Sequence, residues 1–171
     1  MTDARRLDVS ALGACIRLQF ADDLPAGQEE AVRRAWSGAE TAAAEPDEVI
    51  EITASAGFEW FLSSLSSRVT MAAIAHQQGS LVMLHAGGVA VPDGRVVAFV
   101  GPSGRGKTTL TAALSREYGY VTDETIGVAA DLSVHPHRKP LSIINGSGPK
   151  RQVSPTELGA RELPSAPLRL A

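Results

Sequence analysis

Gly101-Pro102-Ser103-Gly104-Arg105-Gly106-Lys107-Thr108 satisfies G-x-x-x-x-G-K-[ST] at every fixed position, and no other stretch of the chain restricts its fold as tightly. Glycines let a backbone bend sharply and turn several N–H groups toward one point, and a helix N-terminus adds its own partial positive charge there. Such a loop is a cradle for phosphate. In it Lys107 is positioned for the β- and γ-phosphates, and the Thr108 hydroxyl for the Mg²⁺ that bridges them. The flanks supply the context that the motif needs. An apolar β-forming run, Arg95 to Val100, leads in, and Leu110, Ala113 and Leu114 follow at helical spacing. A glycine turn without a ligand is the competing reading of the same eight residues.

Composition limits what else the chain can carry. With 171 residues, 44% hydrophobic and 5% aromatic, it can bury one ordinary core. We therefore expect an N-terminal α+β portion, residues 1–79, packed on the same core as a P-loop portion, residues 80–171. A net charge of -3 and a pI near 5.8 argue against nonspecific nucleic-acid binding, which needs a dense basic surface. Cys15 is the only cysteine, so neither a disulfide framework nor a cysteine metal site is expected, and it reads as a small buried apolar residue. The start, from Met1 to Val9, has no signal-like apolar core, and the longest apolar stretch, Leu81 to Val91, is broken by His85 and two glycines. A cytoplasmic protein without membrane partners is the expectation, with homo-oligomerisation left open.

Periodicity gives the framework. Cys15–Phe20 alternates as a half-buried strand, Gln28–Ser37 reads as a short amphipathic helix with Trp36 as its anchor, and Glu48–Ala54 as a second strand after a turn at Glu45–Asp47. An Ala-rich patch covers Ala39–Ala44. Phe58, Phe61, Leu62, Leu65, Val69 and Ala72 or Ala73 predict a long helix from about Glu59 to Gln78, stopped by Gly79, with Ser63, Ser64, Ser66 and Ser67 facing solvent. Next, Asp93-Gly94 between two β-branched runs marks a tight hairpin, so the strand entering the cradle is the second arm of that hairpin.

Downstream, Tyr118 to Glu124 places two acids, Asp123 and Glu124, at the end of a short apolar strand, where a P-loop site keeps its magnesium-organising carboxylate. Ile126–Ala130 and Leu141–Ile144 are further strand candidates. Between them Asp131–Pro140 reads as a solvated polar loop in preference to a metal site built from His135 and His137. Lys150-Arg151 is a basic pair in a flexible connection, serving either solubility or a contact to phosphate or an acidic substrate.

Taken together, Leu84-His85-Ala86, the hairpin, Gly101 to Thr109 and Val121 to Glu124 resemble the HPr kinase/phosphorylase catalytic domain and its small HPr-kinase-like relatives, among them lasso-peptide tailoring kinases. The likeness is in motif order and spans about residues 81–145, with Ser103-Gly104 supplying the extra S-G that ordinary P-loops need not have. The resemblance implies an α/β fold, a P-loop mixed sheet flanked by helices, as in HPr kinase and phosphoenolpyruvate carboxykinase. It further implies that Gly101 to Thr109 hold ATP, that Thr108, Asp123 and Glu124 hold Mg²⁺, that Asp123 takes the proton of an attacking hydroxyl, and that His85 and Lys107 assist. Glu124 stands where that family usually has a second aspartate. The acceptor implied is a serine-type hydroxyl of a peptide, protein or small molecule. A noncatalytic nucleotide-binding sensor or assembly subunit is the alternative. A carboxykinase of small acids is disfavoured, because no histidine, lysine and aspartate cluster for a second metal stands out.

Overall fold

The computed structural model describes residues 5–42, 45–144 and 146–171. Met1–Ala4, Ala43 and Ala44 of the Ala-rich patch, and Asn145 at the end of the family-like region lie outside the described residues.

The chain opens with a hairpin, β1 (Arg6–Ala11) and β2 (Ala14–Phe20), whose two-residue turn has Leu12 at φ 55 and Gly13 at φ 85. Positive φ at both turn positions matches the right-handed twist of the flanking strands. Leucine is a poor residue for it, and complete burial of the Leu12 side chain offsets the strain. Across the hairpin Asp8 faces Arg17 in a bidentate pair, Nε to Oδ1 at 2.7 Å and Nη2 to Oδ2 at 2.9 Å, which lets a carboxylate sit inside the sheet. Helix α1 (Ala26–Trp36) then crosses to β3 (Glu48–Ile52), which lies parallel to β2. Trp36 is fully buried, as expected of an anchor.

Helix α2 (Phe58–His76) packs Leu65, Val69 and Ala73 on this sheet. Gly79, at φ 83, follows the helix end. The expectation for its serines needs one correction. Ser66 is buried, because it falls on the same face as Val69 and Thr70 and not on the solvent side. Cys15 is likewise corrected to half-buried, since it occupies the outward phase of the β2 alternation.

The second sheet is built on β4 (Val82–Ala90). On one edge β4 pairs antiparallel with β5 (Arg95–Val100) through the predicted hairpin, in which Gly94 has φ 90 and Asp93 accepts the Arg95 N–H. After the cradle and helix α3 (Lys107–Leu114), the chain returns along the other edge of β4. There β6 (Gly119–Thr122) pairs with its end and β7 (Thr125–Val128) with its beginning. The pairs His85↔Thr125 and Gly88↔Thr122 share one register, so Asp123 and Glu124 fall opposite Gly87 and Ala86, and the Ala86 N–H donates to the Glu124 carbonyl at 3.0 Å. Short strands complete the fold: β8 (Val134–His135) on β7, an antiparallel pair β9 (Leu141–Ile143) and β10 (Arg151–Val153), and β11 (Arg169–Leu170) parallel to β5. The described chain is mixed α/β, mostly strands, with three helices. Among the described residues no helix is long and apolar enough to cross a membrane.

Buried apolar residues fall into two clusters, one under β1–β3, α1 and α2, the other around β4–β8. Polar contacts cross between the two parts. The Leu12 N–H donates to the Pro136 carbonyl at 3.0 Å, and Thr70 Oγ1 meets His137 Nε2 at 3.0 Å. Here the expectation of a solvated loop at Asp131–Pro140 fails. His137 and Lys139 are both 0% exposed, because Thr70 and Trp36 close over the first and two carboxylates receive the second.

Candidate functional site

Residues 101–106 run from the end of β5 to the start of α3 without regular structure, and Pro102 to Gly106 are exposed. Gly104 and Gly106 take φ of 77 and 85, conformations that side-chain-bearing residues rarely adopt, which explains the glycines at these two positions. Gly106 thereby delivers the chain into α3, leaving the first N–H groups of the helix without carbonyl partners of their own. Lys107 folds back over the loop, its Nζ donating to the Gly101 carbonyl at 2.7 Å and the Pro102 carbonyl at 3.1 Å.

What fixes α3 against the sheet is a glycine that sequence reasoning left unused. A Cβ built on Gly87 would strike Thr111 Oγ1, so Gly87 lets the helix approach β4 closely. Asp123 sits opposite that glycine in the β4 register. The same close approach brings Thr108, one turn before Thr111, to Asp123, near enough for its hydroxyl to favour the ionised carboxylate.

Asp123 is almost wholly enclosed, with a side chain 2% exposed. Lys139 Nζ lies 2.9 Å from its Oδ1 and 3.3 Å from Glu124 Oε2. The Tyr120 hydroxyl donates to Asp123 Oδ1 at 3.3 Å, and the Ser142 N–H to Oδ2 at 3.4 Å. Burial pushes the Asp123 carboxyl upward, but the Lys139 ammonium outweighs it and holds the group below the usual carboxylate range. Burial likewise pulls Lys139 down, and Asp123 with Glu124 more than reverses this. The two shifts agree on a charged pair. Glu124 differs from its neighbour in having a side chain 36% exposed, so it alone of the two acids presents a carboxylate to incoming molecules.

The structure thus brings Thr108 to Asp123, and Lys139 joins Asp123 to Glu124. His85 is exposed on β4, opposite Thr125 and two residues before Gly87, and no hydrogen bond or ion pair of its side chain occurs among the described residues. Arg105 and Thr109 are also exposed, on the open side of the loop and helix. Lys139, Tyr120 and Ser142 are site residues that the sequence reading missed. Adjacent acids at a strand end call for a cation, and Lys139 was one of few lysines to supply it. No protein-family model matches the chain, and no curated protein matches it.

Proposed function

We propose that this protein binds ATP with Mg²⁺ at Gly101–Thr109 and transfers the γ-phosphoryl group to a serine-type hydroxyl of a peptide, protein or small molecule in the cytoplasm, in the manner of the HPr-kinase-like proteins it resembles. One observation carries this reading: a glycine-shaped loop ends in Lys107-Thr108 at the head of a helix, and the first of two strand-end acids, Asp123, meets Thr108 beside it. The donors fit the cofactor. The Thr108 hydroxyl and the outward Glu124 carboxylate, with Asp123 behind them, are hard oxygen donors of the kind Mg²⁺ selects, and the ion when bound would supply charge neutralisation at the β- and γ-oxygens.

The chain's own residues divide the remaining work. The loop N–H groups and Lys107 bind phosphate oxygens, for which Lys107 exchanges its hold on the Gly101 and Pro102 carbonyls. Asp123 orients Thr108. The resemblance gives Asp123 the proton-accepting role as well, but its oxygens are occupied by Lys139, Tyr120 and Ser142. The half-exposed Glu124 carboxylate is the acid that an acceptor hydroxyl can approach, and we assign proton acceptance to it. The resemblance gives His85, exposed on β4, an assisting role.

The alternative, a nucleotide-binding regulatory or assembly protein without transfer, draws on the same enclosure of Asp123, since a site whose buried acid is locked by lysine can hold nucleotide without turning it over. Incubation with γ-labelled ATP and a lysate of the source cells separates the two. A labelled acceptor, lost in Glu124→Gln, supports the kinase. Tight ATP binding with no labelled product and no hydrolysis supports the sensor, and absence of ATP binding overturns both.

A further inference from the structure

Lys139 is among the largest fully buried side chains of the protein, and nothing in the phosphate cradle requires it. Its Nζ faces four acceptors: Asp123 Oδ1 at 2.9 Å, the Pro140 carbonyl at 3.0 Å, Glu124 Oε2 at 3.3 Å and Ser142 Oγ at 3.4 Å. Its backbone is pinned too, the Lys139 carbonyl accepting from the Tyr120 hydroxyl at 3.1 Å. An ammonium enclosed by oxygens, two of them from carboxylates, is an arrangement that a divalent ion would otherwise adopt with the same ligands. A buried lysine held on so many sides cannot swing away as a surface lysine does.

We propose that Lys139 is the resident cation of the Asp123–Glu124 pair: it fills the position between the two carboxylates, bars a free divalent ion from them, and so makes metal enter the site only together with nucleotide phosphates. The first half of the inference stands on the lysine geometry alone, and the second rests on the nucleotide-binding reading of Gly101–Thr109. With Lys139 in place, one full negative charge of the pair is neutralised, and only the outward oxygen of Glu124 and the Thr108 hydroxyl remain for an external ion. That is too few ligands for tight binding without phosphate oxygens. Lys139 is a positioning residue in this scheme, acting through the acids.

The test uses Mn²⁺ alone as probe, followed by the signal of free Mn²⁺ in electron paramagnetic resonance and by the melting temperature. Wild-type protein is expected to bind Mn²⁺ weakly and to show no rise in melting temperature with it. Lys139→Met is expected to bind Mn²⁺ roughly tenfold more tightly or better, because the carboxylate charge is then unshared, and to melt higher when Mn²⁺ is added. Wild-type binding as tight as that of the variant overturns the proposal, as does a folded Lys139→Met protein with no gain. Should Lys139→Met fail to fold, Lys139→Gln keeps a donor for the Pro140 carbonyl and is read by the same criteria, and the wild-type measurement stands by itself. A wild type that binds neither ATP nor Mn²⁺-ATP removes the nucleotide reading and leaves the Mn²⁺ comparison intact.

Discussion

The phosphate cradle and the acid–lysine cluster adjoin at Thr108 and are built in opposite ways. The cradle is contiguous, exposed and shaped by its own backbone: Gly104 and Gly106 set the bend, and Lys107 bonds only to carbonyls five and six residues behind it. The cluster is buried and assembled from β6, the turn after it, the segment before β9 and β9 itself. A loop of the first kind can be emptied of function without unfolding the protein. A cluster of the second kind cannot lose one charge without leaving another stranded away from water.

The largest effect should therefore come from the cluster. Lys139→Met and Asp123→Asn are each expected to cost about 3–5 kcal/mol of folding stability, the usual penalty for leaving half of a buried pair. The two together should cost clearly less than the sum of the singles. Urea denaturation of the four proteins measures this coupling. Additive losses would mean that the two side chains do not share one enclosed site.

Lys107→Ala sharpens the contrast from the other side. Nucleotide affinity should fall by roughly 100-fold, about 2.7 kcal/mol, from loss of a charged phosphate ligand. Stability should stay within about 0.5 kcal/mol, as for a substitution away from the core. Calorimetric titration with ATP·Mg²⁺ and a urea curve on the same protein check both. A large drop in stability would place Lys107 in the scaffold, against its position at the head of α3 beside an open loop. Next in size is Gly87→Ala, which touches the joint between the two regions. Its added methyl meets Thr111 and forces α3 outward, at about 1–3 kcal/mol of overpacking, with nucleotide affinity falling alongside stability. Unchanged affinity in that variant would separate the helix position from binding.

The same contrast explains what could be read from the sequence. The cradle was legible because its conformation is dictated by eight successive residues, and the β4–β5 hairpin because Asp93-Gly94 carries its turn locally. The hairpin β1–β2 was only half visible. Leu7, Val9 and Ala11 alternate, but Leu12-Gly13 is a weak turn signal, since leucine seldom accepts a positive φ and does so here only under cover of the core. The stretch His135-Pro-His-Arg-Lys-Pro140 misled for a stronger reason. By composition it belongs in water, and it is carried inside by partners distant in sequence: Thr70 and Trp36 for His137, Asp123 and Glu124 for Lys139. Arg138, between them, pairs with Glu162. Which of two neighbouring basic residues meets which acid is decided by tertiary packing, and local periodicity holds no trace of it.

The buried side of the comparison also has a pH signature, smaller per unit than the other effects and specific to His137. Its imidazole is enclosed, with Nε2 at 3.0 Å from Thr70 Oγ1 and Nδ1 without a partner, and burial with the nearby Lys139 charge lowers its pKa to about 3. In the unfolded chain a histidine titrates near 6.5. Between those values the unfolded state binds the proton and the folded state does not, so stability rises with pH across this window and is lost as pH falls below about 6.5, at up to about 1.4 kcal/mol per pH unit. Asp123 and Asp8, held below the ordinary carboxylate range by Lys139 and Arg17 respectively against the cost of burial, add losses only as pH drops below about 4, through their unfolded values. From pH 6 to pH 4.5 the slope peculiar to the buried polar region thus belongs to His137. His137→Gln keeps a group able to bond Thr70 but cannot titrate, and His76, His85 and His135 remain in both proteins and cancel in the difference. Urea midpoints at several pH values should show the variant flatter than wild type across that interval, and parallel curves would mean that the imidazole is not held neutral inside the fold.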